Sequence, residues 1–144
     1  MQVQDIMTGN PTCCGGNTTI QDAAKLMAEQ SIGALPVVND AGEPIGVVTD
    51  RDICCGAVAE GKSGETAVSD VMSTDVLTTT ANEEVSSCCN KMEERQVRRA
   101  VVIDSEGKCC GMVAQADVAR EAEGAETADL VQKVSEPESR SGCC

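Results

Sequence analysis

The chain has 144 residues, 41% of them apolar, which is material for one compact domain or two half-domains sharing a core, and no apolar run approaches the roughly 18–20 residues that cross a bilayer. Phe, Trp, Tyr and His are all absent, so the core must be Val, Ile, Ala, Met, Cys and Leu, and the commonest general base and zinc ligand is missing. A formal charge of −13, with no aromatic platform for a base, argues against nucleic-acid binding.

In chain order, "DIMT" at residues 5–8 precedes a short extended piece, "PTCC", at 11–14. Ile20, Ala23, Ala24, Met27 and Ala28 then fall on one stripe of a helix over 18–30. An apolar strand at 34–39, a Gly-containing turn at 40–43 and a second strand at 44–49 read as a hairpin. Asp52 leads into a further helix, and a polar linker occupies 63–69. The order then repeats: "DVMS" at 70–73, "VLTT" at 76–79, and a helix over 82–96 with Val85, Cys88, Cys89 and Met92 inward. Asn82 or a neighbour is its expected cap. A hairpin spans 100–114, and Asp117 opens another helix. Residues 124–134 carry the spacing of a last amphipathic helix, and 135–144 lack apolar content and are expected to be disordered.

A shift of 65 residues superposes the two copies without a gap: Met27 on Met92, Gly46 on Gly111, Asp52 on Asp117. Two copies are too few for an open array, so a closed, pseudo-twofold pair is expected, with repeats at 1–62 and 70–123. The hydroxyl of Thr49 is not repeated, because Ala114 stands in its place.

All ten cysteines lie in adjacent pairs. The first residues have neither the basic nor the apolar region of a secretory signal, so the chain reads as cytoplasmic and no disulfide framework is expected. Cys88 and Cys89 replace Ala23 and Ala24, as small core residues would. Cys143 and Cys144, after a polar stretch, read as exposed and oxidisable.

The phrases "IGALPVVNDAGEPIGVVTDRDI" and "VRRAVVIDSEGKCCGMVAQADVA", each preceded by "DIMT" or "DVMS", resemble the two halves of a tandem CBS-domain (Bateman) module of the small stand-alone bacterial type. The resemblance implies an α+β fold of two β-α-β-β-α repeats packed through their sheets, commonly as a homodimer. It implies a regulatory, non-enzymatic role signalling to a downstream protein, with AMP, ADP, ATP or S-adenosylmethionine as ligand. It places Asp52 and Asp117 on ribose hydroxyls, chemistry suited to a carboxylate. A first ligand site is expected from Thr49, Arg51, Asp52, Asp75, Leu77, Val97, Arg98 and Arg99, with Arg98 and Arg99 on phosphate. A second, weaker site is expected from Asp117 with Asn10, Thr12, Ile32 and Gly33. Beside this stand two other readings: a thiol or metal sensor using the paired cysteines, and a ligand-free dimerisation module. On the residues alone, Asp52 and Asp117 could be plain helix caps, and Arg98 and Arg99 surface charges.

Overall fold

The structure, a computed structural model, describes residues 1–121. The helix expected at 124–134, the tail at 135–144 and the Cys143–Cys144 pair lie outside the described residues. The described chain forms strands β1 (Thr8–Gly9), β2 (Cys14–Gly15), β3 (Ala34–Val38), β4 (Pro44–Thr49), β5 (Thr78–Thr80), β6 (Arg99–Ile103) and β7 (Cys109–Ala114). The helices are α1 (Ile20–Gln30), α2 (Asp50–Ile53), α3 (Val85–Arg95) and α4 (Gln115–Glu121), and a π-helical turn, Cys54–Val58, continues α2.

The chain divides into two compact units. The repeat copies and the units are different divisions of the chain. One unit joins residues 1–10 to the described residues from Leu77 onward, and the other holds residues 11–76. Each opening phrase therefore folds onto the other copy's hairpin. In the 11–76 unit, β2 lies parallel to β3 and β3 antiparallel to β4, with Leu35 opposite Val48. The "DVMS" stretch closes this unit: Val68 is fully buried in its core, and Ser73 and Val47 exchange both main-chain hydrogen bonds at 3.0 Å. In the other unit the sheet order is β1-β7-β6-β5, and β1, from "DIMT", pairs antiparallel with β7. Val3 is fully buried there, and its N–H donates to the Glu83 carbonyl at 2.9 Å.

Why Gly46 and Gly111 recur now has a steric reason. A Cβ on Gly46 would lie 2.6 Å from Met72 Sδ and 2.9 Å from the Ser73 carbonyl oxygen. One on Gly111 would lie 2.7 Å from Met7 Sδ and 3.1 Å from the Thr8 carbonyl oxygen. The crossing segment runs too close to the hairpin for any side chain at that point.

Each unit has its own core. Leu35, Val37 and Val48 from the sheet meet Ile20, Ala23 and Met27 of α1; Val102 and Val113 meet Val85, Cys88, Cys89 and Met92 of α3. The α1 stripe is narrower than its spacing suggests, since Ala28 is exposed. Thr19 caps α1, accepting from the Asp22 N–H at 3.2 Å. Asn82 does not cap α3. The helix begins at Val85, and Asn82 instead accepts a 3.0 Å hydrogen bond from Thr80 Oγ1.

The start of α3 is held by Glu83, which takes hydrogen bonds from Lys91 Nζ at 2.5 Å, from Ser87 Oγ at 3.0 Å and from Thr79 Oγ1. Burial alone would raise the Glu83 carboxyl; the hydrogen bonds from Lys91, Thr79 and Ser87, with the Lys91 charge, outweigh it and hold the group below its ordinary value. A carboxyl depressed on folding adds stability above its unfolded value, and loses it as pH falls through the folded value. The stability gap between the native chain and Glu83→Gln should therefore be widest near neutrality and close on acidification, as read by urea midpoints across a pH series. Gly46→Ala and Gly111→Ala should each lower stability by about 1–3 kcal/mol through forced backbone displacement, measured as a fall in denaturation midpoint.

Candidate functional site

The turn after β4 is closed by a reciprocal capping box. Thr49 Oγ1 accepts from the Asp52 N–H at 3.0 Å, and Asp52 Oδ2 accepts from the Thr49 N–H at 2.9 Å. The cap of α2 is thus Thr49, and Asp52 is the third helical residue rather than the cap itself. After β7 the same carboxylate bond recurs, from the Ala114 N–H to Asp117 Oδ2 at 2.8 Å. Without a hydroxyl, Ala114 cannot return it. The duplicated Asp therefore braces its own strand-to-helix turn with one oxygen, which fixes where the other is held.

The second oxygens differ. Asp117, buried, accepts at Oδ1 from Arg120 Nη2 at 2.5 Å. The first copy has Cys55 where Arg120 stands, and among the described residues no lysine or arginine pairs with Asp52. Arg120 escaped the sequence reading, although its i, i+3 spacing from Asp117 was there to be seen.

The remaining expected residues divide between the units. Thr12, Ile32, Gly33, Thr49, Arg51, Asp52 and Asp75 belong to the 11–76 unit; Asn10, Leu77, Val97, Arg98, Arg99 and Asp117 belong to the other. In the first, the Gly33 carbonyl accepts from the Asp50 N–H at 3.0 Å, and a Cβ on Gly33 would lie 3.1 Å from Asp50 Oδ2. Ile32 is part-exposed, and Thr12 Oγ1 donates to Gln30 Oε1 at 2.6 Å. In the second, the Arg98 carbonyl accepts from the Gln115 N–H at 2.8 Å, the same bond at the same station. Arg98 is exposed and Val97 half-buried, but Leu77 lies in the core. The Asn10 N–H donates to the Cys110 carbonyl at 3.1 Å, with Asn10 at φ 48°. Gly33 and Asp50 in one copy thus answer to Arg98 and Gln115 in the other, a more basic surround for the second Asp.

A family model described as CBS domain matches residues 3–55 and 68–124. The chain belongs to the CBS-domain family. It is 38% identical over 117 residues to the CBS domain-containing protein YhcV of Bacillus subtilis, covering 81% of this chain and 82% of that protein. To Hypoxic response protein 1 of Mycobacterium tuberculosis it is 41% identical over 118 residues, again 81% and 82% of the two chains. Its structure is similar to the CBS domain pair of MJ0100 bound to 5′-methylthioadenosine and S-adenosyl-L-methionine, with TM-score 0.75 and 28% identity over 83% of this chain and 98% of that one. It is similar also to CBSX2 bound to AMP, with TM-score 0.72 and 27% identity over 84% and 95%. The solved structure of Hypoxic Response Protein I, with two coordinated zinc ions, has TM-score 0.75 and 35% identity over 85% and 100%. The CBS fold accounts for the two sheets and four helices seen here.

The cysteines of this CBS pair are mixed in placement. Cys14, Cys88 and Cys89 are buried, Cys13, Cys109 and Cys110 half-buried, and Cys54 exposed. Core filling therefore describes Cys14, Cys88 and Cys89 but not Cys54. Cys55 is disulfide-bonded, contrary to the expectation of unbridged thiols. Among the described residues, no three His, Cys, Asp or Glu side chains gather as metal ligands, and no helix is long and apolar enough to cross a membrane. Burial pushes the Cys14 thiol up to about 11; burial, then the Glu83 charge, raises Cys88. Since the thiolate is the reactive form, alkylation of the native protein near neutral pH should mark Cys54 well before Cys14 or Cys88, as read by peptide mass spectrometry.

Proposed function

We propose that this CBS pair is a non-enzymatic regulatory module whose ligand is an adenosine-containing small molecule, recognised first through Asp52. The observation that carries the reading is the braced carboxylate. Asp52 spends Oδ2 on the Thr49 N–H, and no cation among the described residues takes its charge. An ionised carboxylate so fixed accepts from the two vicinal hydroxyls of a ribose without first being ordered. The adenosyl ligands of MJ0100 and CBSX2 support this choice of chemistry.

Thr49 serves as the brace, and Arg51, Asp75, Leu77, Val97, Arg98 and Arg99 are proposed as further contributors to this site. Arg98 and Arg99 would favour ligands with phosphate, such as AMP, ADP or ATP, over S-adenosylmethionine. Asp117, with Asn10, Thr12, Ile32 and Gly33, is proposed as the weaker site. The signal would pass to a partner protein, with a second copy of the chain as the expected assembly.

A ligand bound at a concentration a hundred times its Kd stabilises the native state by roughly 2.7 kcal/mol. AMP, ADP, ATP or S-adenosylmethionine should therefore raise the melting temperature saturably, and Asp52→Ala should abolish the shift. Arg98→Ala should weaken phosphate-bearing ligands while sparing adenosine. If no adenosine compound at millimolar concentration moves the melting temperature or gives calorimetric heat, the reading is wrong.

A further inference from the structure

The two Asp residues sit at equivalent stations, yet one is claimed by a side chain of the protein. We infer that Arg120 is a built-in competitor for Asp117, a specificity-determining residue that keeps the second copy's carboxylate from a ribose diol while Asp52 remains receptive. The inference rests on the proposed adenosyl function and deepens it.

Asp117 has two oxygens, and the structure accounts for both. Oδ2 takes the Ala114 N–H at 2.8 Å, and Oδ1 takes Arg120 Nη2 at 2.5 Å. A neutral hydroxyl arriving at Oδ1 must displace a charge-assisted hydrogen bond, which is the stronger of the two. The carboxylate is nearly closed off, its side chain 12% exposed, while the Arg120 side chain is 71% exposed. Arg120 thus reaches in from the surface without being buried itself, and it can leave without opening a cavity.

The first copy lacks this competitor. Cys55 occupies the station of Arg120, and it is disulfide-bonded and carries no positive charge. A second difference lies in the turn: Thr49 Oγ1 accepts from the Asp52 N–H, and Ala114 has no hydroxyl to do the same. Asp52 is thus anchored through Oδ2 with no cation among the described residues on its charge, while Asp117 is held through both oxygens and its charge is paired.

Removing the guanidinium should uncover a second site. The variant Arg120→Met keeps most of the apolar stem, and Arg120→Ala has high helix propensity; both alter an exposed position in α4, so folding should survive and is checked by melting. Titration calorimetry with adenosine, and with 2′-deoxyadenosine as the probe lacking one hydroxyl, reads both stoichiometry and diol recognition. The native chain should bind one equivalent of adenosine. Either Arg120 variant should bind two, the second at least about tenfold tighter than any residual second binding in the native chain, and should lose that second equivalent with 2′-deoxyadenosine. A second equivalent in the variants that does not discriminate against 2′-deoxyadenosine overturns the inference, since the freed carboxylate would not be taking the diol. One equivalent in both native chain and variants overturns it while the adenosyl function stands. Two tight equivalents in the native chain overturn it equally. Binding by the variants alone keeps Arg120 as competitor and removes Asp52 as the receptive site. No binding by either chain sinks both.

Discussion

A Cβ on Gly46 would meet the Ser73 carbonyl oxygen at 2.9 Å and one on Gly111 the Thr8 carbonyl oxygen at 3.1 Å, and the architecture depends on the close main-chain approach that only glycine permits there. The stretch that opens each repeat is too short and too polar to bury anything alone. Laid across the other copy's hairpin, it contributes Val3 or Val68 to a core and closes a sheet edge or caps a strand. A Cβ at either glycine would lift the segment, withdrawing the buried valine and breaking the main-chain pairs together. The covalent chain therefore passes from one unit to the other between residues 10 and 11 and again between 76 and 77, so neither repeat completes its unit from its own sequence.

The same strands that carry the glycines carry the candidate site. β4 and β7 each run from the crossing point into a tight turn and a short helix, so the turn's position is set by the crossing. An Asp in the first turn of that helix is favoured twice: its charge suits the helix start, and its oxygen satisfies a main-chain N–H that the strand has just released. Local folding physics alone would thus place an acid there. What local folding does not require is the second oxygen, and there the copies part: Arg120 takes it in one and, among the described residues, no basic side chain takes it in the other.

Much of this was legible in the residues. The 65-residue repeat, the inward helix stripes and the hairpins follow from periodicity and turn chemistry, because those patterns report burial by the chain's own neighbours. The exchange of opening segments was not, because a repeat shows which stretches are equivalent and not which copy each one docks against. The α2 start was misjudged for a related reason. Asp at a helix start reads as a cap, but a Thr three residues earlier with an Asp at the third helical position is the pattern of a capping box, and the Thr caps. An adjacent cysteine pair does not show in the sequence which of its members faces out: Cys88 and Cys89 are both buried in one core, whereas Cys54 is exposed.

Duplication followed by divergence of single side chains gives one scaffold two different electrostatic settings. Around the helix start after β4 the chain places Gly33, Asp50, Arg51 and Asp52; after β7 it places Arg98, Gln115, Ala116, Asp117 and Arg120. The first setting is net acidic and the second net basic, although the main-chain bonds that build them match one for one. Backbone geometry is thus held fixed while charge is varied, and a difference in ligand preference between the copies needs no difference in fold. A carboxylate already anchored by one oxygen costs little to present to a ligand, so its affinity turns on what else competes for the free oxygen. In this chain a single exposed guanidinium takes that oxygen in the second copy, at the station where the first copy has Cys55.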